Sequence, residues 1–157
     1  MGRRPNRRLT LPPVPHATRA NLGYLLAKAS RRWNELLQEG FADAGFPEVK
    51  ASYGSVLIPL FEEDGLRMGE IARRARLSKQ TMTTMVRLCE RDGLVERQPD
   101  PHDRRAARVN LTAKAKRFQS RAEEVLAALE GEVEGMLGRG RSEGLRRALA
   151  EIQLLGR

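Results

Sequence analysis

Two short runs of side chains are suited to chemistry with a polyanion. The first is Ser78-Lys79-Gln80-Thr81 with Thr83, Thr84 and Arg87, and the second is Asp103-Arg104-Arg105. Lysine and arginine donate to guanine acceptors and to phosphates, glutamine matches the adenine edge, and threonine offers a hydroxyl or a methyl. That is the set of groups that reads base edges in a major groove. Any solvated helix face also holds such residues, so the first run by itself leaves both readings open. Groups for catalysis are sparse. His16 and His102 are not placed for a metal site or a nucleophile-base pair, and no glycine-rich phosphate loop follows a strand pattern. The expectation is that the protein is not an enzyme and carries no metal or cofactor. The single cysteine, Cys89, allows no intramolecular disulfide and no cysteine-based metal cluster within one chain. Cys89 reads as a small buried hydrophobe in preference to a redox sensor.

The charge distribution marks the same region. The chain has 157 residues and a net charge of +9. Residues 1–20 hold five arginines and no acid, and residues 66–108 hold eleven basic against six acidic residues. Residues 21–65 hold four against seven, and residues 109–157 hold nine against seven. The excess therefore sits in an N-terminal arm and one central segment, which favours a localised surface for a polyanion, either nucleic acid or an anionic membrane surface. No stretch approaches the roughly 20 apolar residues needed to span a bilayer. The run Leu9-Thr10-Leu11-Pro12-Pro13-Val14-Pro15 is too short and proline-broken for a signal-peptide core. These features predict a soluble, cytoplasmic protein.

The elements that must position these side chains follow from periodicity. Residues 1–17, rich in arginine and proline, read as a basic arm that either touches phosphates or is a solvated tail. Leu22, Leu25, Leu26, Ala29, Trp33, Leu36, Leu37 and Phe41 recur at helical spacing, predicting a helix over 17–44 that stops at Gly45. A second helix is predicted over 50–64 with Tyr53, Val56, Leu57, Leu60 and Phe61 inward, bent or opened in the turn before Pro59. Residues 66–77 predict a short helix. Ser78 then caps a helix from Lys79 to Arg91 that ends at Asp92-Gly93, with Met82, Met85, Val86 and Cys89 facing the core. Two short helices joined by such a turn make a helix-turn-helix.

Residues 94–98 and 107–111 alternate as strands, predicting a hairpin with a long polar loop over 99–105. Such a wing could lay Arg105 into a narrow minor groove, with Asp103 pairing to its guanidinium. Thr112 caps a long helix bearing Phe118, Ala122, Val125, Leu126, Leu129, Val133, Met136 and Leu137 on one stripe. Gly138-Arg139-Gly140 breaks it, and Ser142 opens a last helix with Leu145, Leu149, Ile152 and Leu155 on one side. These stripes pack either against a second copy or inward within one chain. The fold class expected is mainly α with a small β-wing (α+β).

The wing run Asp100-Pro101-His102-Asp103-Arg104-Arg105, then Val109, Leu111 and Thr112, resembles the signature of the MarR (multiple-antibiotic-resistance regulator) family. Leu77-Ser78 through Arg91-Asp92-Gly93-Leu94-Val95 is similar to its recognition-helix frame. The resemblance implies a winged helix-turn-helix with N- and C-terminal dimerisation helices, over 18–48 and 112–157, and a DNA-binding lobe over 49–111. It implies a homodimeric repressor of a pseudo-palindromic operator in double-stranded DNA, released by a small-molecule effector such as an aromatic or phenolic ligand, with no membrane partner. Carried over by position, Ser78, Lys79, Gln80, Thr81, Thr83, Thr84 and Arg87 face DNA from the helix, and Asp103, Arg104 and Arg105 from the wing. An effector pocket between the dimerising helices and the lobes would place Tyr53, Trp33 and Leu57 at its border, unless they are plain core. Cys89 stands where the family usually has leucine and Leu88 where it usually has a polar residue. No cysteine lies near the start of the first long helix, where peroxide-sensing members have one. A basic interaction or membrane-surface module would tolerate the arm but would not account for the wing run.

Overall fold

The computed structural model describes residues 18–156, and the basic arm over 1–17 lies outside the described residues. The chain divides into two compact units, residues 1–33 and 34–157. The described part of the first unit is a turn followed by the first residues of helix α1 (Leu22–Asp43). That helix starts five residues later than the periodicity predicts, because Asn21 rather than residue 17 begins it: the Asn21 side chain accepts the Tyr24 N–H at 3.2 Å.

In the second unit α1 ends where Gly45 takes a left-handed φ of 94°, and the Phe46 N–H returns to the Phe41 carbonyl at 2.8 Å. A single 3-10 turn (Ala51–Tyr53) precedes α2 (Gly54–Glu62). No opening lies in the turn before Pro59 as expected: α2 is continuous helix through the proline to a bond from Glu63 N–H to the Pro59 carbonyl, and the 3-10 turn replaces only the start of the predicted 50–64 helix. Then follow β1 (Leu66–Arg67), α3 (Met68–Ala75), α4 (Lys79–Arg91), β2 (Val95–Asp100), β3 (Asp103–Leu111), α5 (Ala113–Leu137) and α6 (Arg139–Ile152).

Three expectations are corrected. Residues 66–77 are not all helix: Leu66 and Arg67 form a short strand paired with Val109 and Arg108, and the helix ends at Ala75. Nearby backbone decides this, since Asp64 Oδ1 accepts the Leu111 N–H at 2.8 Å and brings the segment beside β3. The strands of the hairpin extend almost to the tip, leaving Pro101-His102 as the turn instead of a seven-residue loop. Finally, α6 begins at Arg139, not at Ser142, because only Gly138 (φ 79°) leaves the helical region. Leu155, expected on that helix, lies beyond its end.

The sheet has the order β1-β3-β2, all antiparallel. Its inner residues Leu66, Val95, Val109 and Leu111 close a core with Val56, Leu57, Leu60, Ile71, Met82, Val86, Cys89 and Leu94. Tyr53 belongs to this core as well, fully buried, whereas Phe61 is half-buried. A second layer joins the end of α1 to α5. Phe41 and Phe46 meet Phe118 edge-to-face at centroid distances of 4.9 and 5.2 Å. Gly40 allows this approach, since a Cβ there would stand 2.5 Å from Val125 Cγ1. Among the described residues no helix is long and apolar enough to cross a membrane.

Candidate nucleic-acid interface

Helix α4 owes its place to its buried stripe. Met82, Val86 and Cys89, spaced four and three residues apart, are wholly buried, and Met85 is half-buried. Burial pushes the Cys89 thiol up to about 12, so it behaves as an inert hydrophobe. The N-terminus is fixed by Ser78, whose Oγ accepts the Thr81 N–H at 3.0 Å. At the far end Asp92 closes the helix. Its carboxylate receives the Arg91 guanidinium (Nε to Oδ1, 2.8 Å) and the Tyr53 hydroxyl at 2.5 Å, and Lys114 Nζ donates to its carbonyl at 2.8 Å. Arg91 and Tyr53 together hold the Asp92 carboxyl down at about 2. Burial and the adjacent Asp92 push the Tyr53 phenol up to about 12, so it stays a donor.

With one face spent on the core, the opposite face is free. Helical geometry puts Gln80, Thr84 and Arg87 on one strip opposite Met82 and Cys89. Gln80, Thr84 and Arg87 are exposed, as are Ser78, Lys79 and Thr81 at the amino end. Thr83 is half-buried and departs from that exposed set. The hydroxyls are already oriented: Thr83 donates to the Lys79 carbonyl at 2.8 Å and Thr84 to the Gln80 carbonyl at 3.3 Å. Each keeps oxygen lone pairs and a methyl for an outside partner. Among the described residues neither Lys79 nor Arg87 forms an ion pair, whereas the nearby Arg73, Arg74, Arg91 and Arg97 all do.

The wing is built differently. The ladder pairs Val95 with Leu111 through Pro99 with Ala107, then jumps so that Asp100 faces Asp103. Arg104, Arg105 and Ala106 therefore have no partner on β2 and form a bulge, a device that re-aims side chains. Asp103, Arg104 and Arg105 are exposed, and among the described residues neither arginine forms an ion pair. Asp103 does not pair with the Arg105 guanidinium as expected. Its Oδ1 accepts the Arg105 backbone N–H at 3.0 Å, because a carboxylate two residues upstream meets the main chain first.

The acid that organises the wing is Asp100, and sequence reasoning gave it no role. It is 3% exposed. Its Oδ2 accepts from Arg67 Nε at 2.7 Å and Arg108 Nε at 3.1 Å, and its Oδ1 accepts the His102 N–H at 2.8 Å. One carboxylate thus ties β1, β3 and the hairpin turn together. The Arg67 guanidinium and then the His102 N–H hold its carboxyl far below the usual carboxylate range. The available signal was an acid, one of the pair Asp100 and Asp103, at a hairpin tip in a strongly basic segment. Arg97 completes the frame by bridging the wing to α4 through Glu90 (Nη2 to Oε2, 2.8 Å).

Beyond this surface the second unit holds an open apolar cleft of about 120 Å³, lined by Leu37, Phe41, Val49, Leu57, Phe61 and Phe118. Lys50, Gln119 and Glu123 also line it. Leu57 both lines this cleft and belongs to the core, Tyr53 is fully buried core, and Trp33 belongs to the other unit.

Comparison with known proteins agrees with this architecture. Residues 60–106 match the model of the MarR family. The HTH-type transcriptional repressor Rv2887 of Mycobacterium tuberculosis (strain ATCC 25618 / H37Rv) is 28% identical over 135 residues, covering 85% of this chain and 94% of that protein. The HTH-type transcriptional repressor YetL of Bacillus subtilis (strain 168) is 30% identical over 89 residues, 55% of this chain and about half (52%) of that protein. Among solved structures, the transcriptional repressor CouR bound to a 23-mer DNA duplex is 30% identical with a TM-score of 0.73, covering 84% of this chain and 92% of that one. CouR bound to p-coumaroyl-CoA is 27% identical with the same TM-score, 0.73, covering 85% of this chain and 92% of that one. With its helix-turn-helix, its wing and these likenesses over most of its length, the chain belongs to the MarR family of DNA-binding transcription regulators.

Proposed function

We propose that the protein is a cytoplasmic repressor that binds a pseudo-palindromic operator as a homodimer and acts by binding alone, without catalysis. The observation that carries this reading is the division of α4 into a wholly buried stripe and an opposite polar strip, beside a wing whose arginines are bulged out of the ladder. Ser78, Lys79, Gln80, Thr81, Thr84 and Arg87 enter a major groove, with Thr83 at the margin of that surface. Arg104 and Arg105 reach the flanking minor groove, where narrow width deepens the negative potential, and Asp103 shapes their loop. Residues 49–111 act as the DNA-binding lobe, and 18–48 with 112–157 as the dimerisation region. Met136, Leu145, Leu149 and Leu155 are exposed apolar residues in the carboxy-terminal part, which supports a second copy as their cover.

The apolar cleft is suited to a small effector with an aromatic or phenolic body, and the relative CouR is described in complex with p-coumaroyl-CoA. Val49, Lys50, Ala51 and Gly54 line the cleft around Tyr53, and Tyr53 holds the C-cap of α4, so a ligand that moved this segment would move α4. The reading is tested by selecting bound fragments from a random duplex library at about 150 mM salt, where sequence-independent charge binding fades. An inverted repeat with half-sites about 10 bp apart supports it. Recovery of sequences without a shared motif would oppose it.

A further inference from the structure

The turn of the helix-turn-helix contains the one residue other than glycine that has a positive φ among those described, Arg76, at φ 54° and ψ 40°. The geometry is imposed by the end of α3. Arg76 N–H bonds to the Arg73 carbonyl at 3.2 Å and Leu77 N–H to the Ala72 carbonyl at 3.0 Å, a closing motif that requires a left-handed residue and favours glycine there. A side chain in this region crowds the following carbonyl and costs stability.

Nothing in the fold offsets that cost. Arg76 is exposed and, among the described residues, forms no ion pair or side-chain hydrogen bond. Its neighbours differ: Glu70 receives Arg73 at 2.6 Å and Arg74 at 2.9 Å, and Arg74 also pairs with Glu63. The two preceding arginines are thus neutralised, and Arg76 alone of the three presents an uncompensated charge. It ends α3, the first helix of the motif, two residues before Ser78, the cap of α4, and in such motifs the first helix crosses the DNA backbone while the second enters the groove. A strained, unpaired cation at that place gains its favourable energy in a complex rather than in the free fold.

We propose that Arg76 is a phosphate anchor: its guanidinium grips the backbone beside the groove that α4 enters, fixing the register of the recognition helix without reading sequence. This rests on the DNA-binding reading above. Phosphate contacts of this kind set position and add a salt-dependent contribution that is uniform across sequences.

The test uses the full chain and a random-sequence 25-bp duplex, with binding titrated from 50 to 200 mM salt, alongside thermal melting of the free protein. Arg76→Gly should raise Tm by about 2–4 °C, relieving the left-handed strain. It should also weaken binding several-fold at 100 mM salt and reduce the slope of log K against log salt by about 1.8, about 0.9 for each of the dimer's two Arg76 side chains. Arg76→Lys should keep the slope close to that of the wild type. If Arg76→Gly binds with unchanged affinity and slope while the wild type binds normally, Arg76 is a solvated side chain and the inference is overturned. A lower Tm for Arg76→Gly would also overturn it, because the arginine would then be supporting the fold. Absence of DNA binding by the wild type would overturn the wider reading instead.

Discussion

The recognition helix and the wing present similar side chains by opposite means. Helix α4 aims Gln80, Thr84 and Arg87 outward because Met82, Val86 and Cys89 are held inward, so its surface follows from regular packing. The wing aims Arg104 and Arg105 outward because the ladder breaks after Pro99, and a single buried acid, Asp100, holds the strands on either side of the break. One surface is a consequence of the core, and the other of an irregularity pinned by charge. Damage to the packing beneath the first should therefore cost the fold most, whereas loss of an exposed arginine of the second should leave the fold and weaken the complex.

The largest effect is expected from Met82→Ala. Met82 is fully buried, and its truncation should cost about 2–5 kcal/mol of stability, read as a fall in the urea midpoint. A loss confined to DNA affinity would remove the distinction between the two surfaces. Next comes Arg105→Ala, which should weaken binding by about 1–3 kcal/mol while Tm moves by no more than a few degrees, because an exposed arginine without a protein partner contributes little to folding. If melting collapsed and affinity held, the wing arginine would be structural.

Asp100→Asn sharpens the comparison through pH. The Asp100 and Asp92 carboxyls are both depressed in the folded state, so each stabilises the fold above the usual carboxylate range, and that contribution is lost as pH falls through the folded value, about 2 for Asp92. Asp100→Asn should be less stable than wild type at pH 7, and the gap should narrow on acidification below about pH 4. Melting curves from pH 7 to 2.5 check this. Its DNA affinity should fall toward that of Arg105→Ala, and the two changes should not add, since both act through one wing. The smallest effects are expected from Gln80→Ala and Thr84→Ala, about 1 kcal/mol each, at the low end for a single base contact, and directed at particular base pairs.

The legibility of the molecule divides along the same line. Spacing located α4 to the residue, with Ser78 as its cap and Asp92-Gly93 as its end, because burial and capping are local and periodic. It also located Thr112 as the cap of α5, where Thr112 Oγ1 accepts the Ala115 N–H at 3.2 Å. Spacing failed where long-range pairing decides. Leu66 and Arg67 became a strand because β3 lies beside them, 43 residues on in sequence for Leu66 opposite Val109. Asp100 was legible as part of the wing run but its role was not, because its partners Arg67 and Arg108 meet only in the folded sheet. Likewise the residues flanking the cleft come from three separated segments, and no single window of sequence brings Phe41, Leu57 and Phe118 together.

The most direct test compares three proteins on the duplex recovered by selection and on a scrambled one of equal length, at about 150 mM salt. The wild type should prefer the selected duplex by at least about 10³-fold. The double variant Gln80→Ala/Thr84→Ala should lose much of that preference while keeping its affinity for the scrambled DNA, and Arg105→Ala should lose affinity without redirecting the base preference at the half-sites. An unchanged preference in the double variant would contradict the assignment of base readout to the exposed strip of α4.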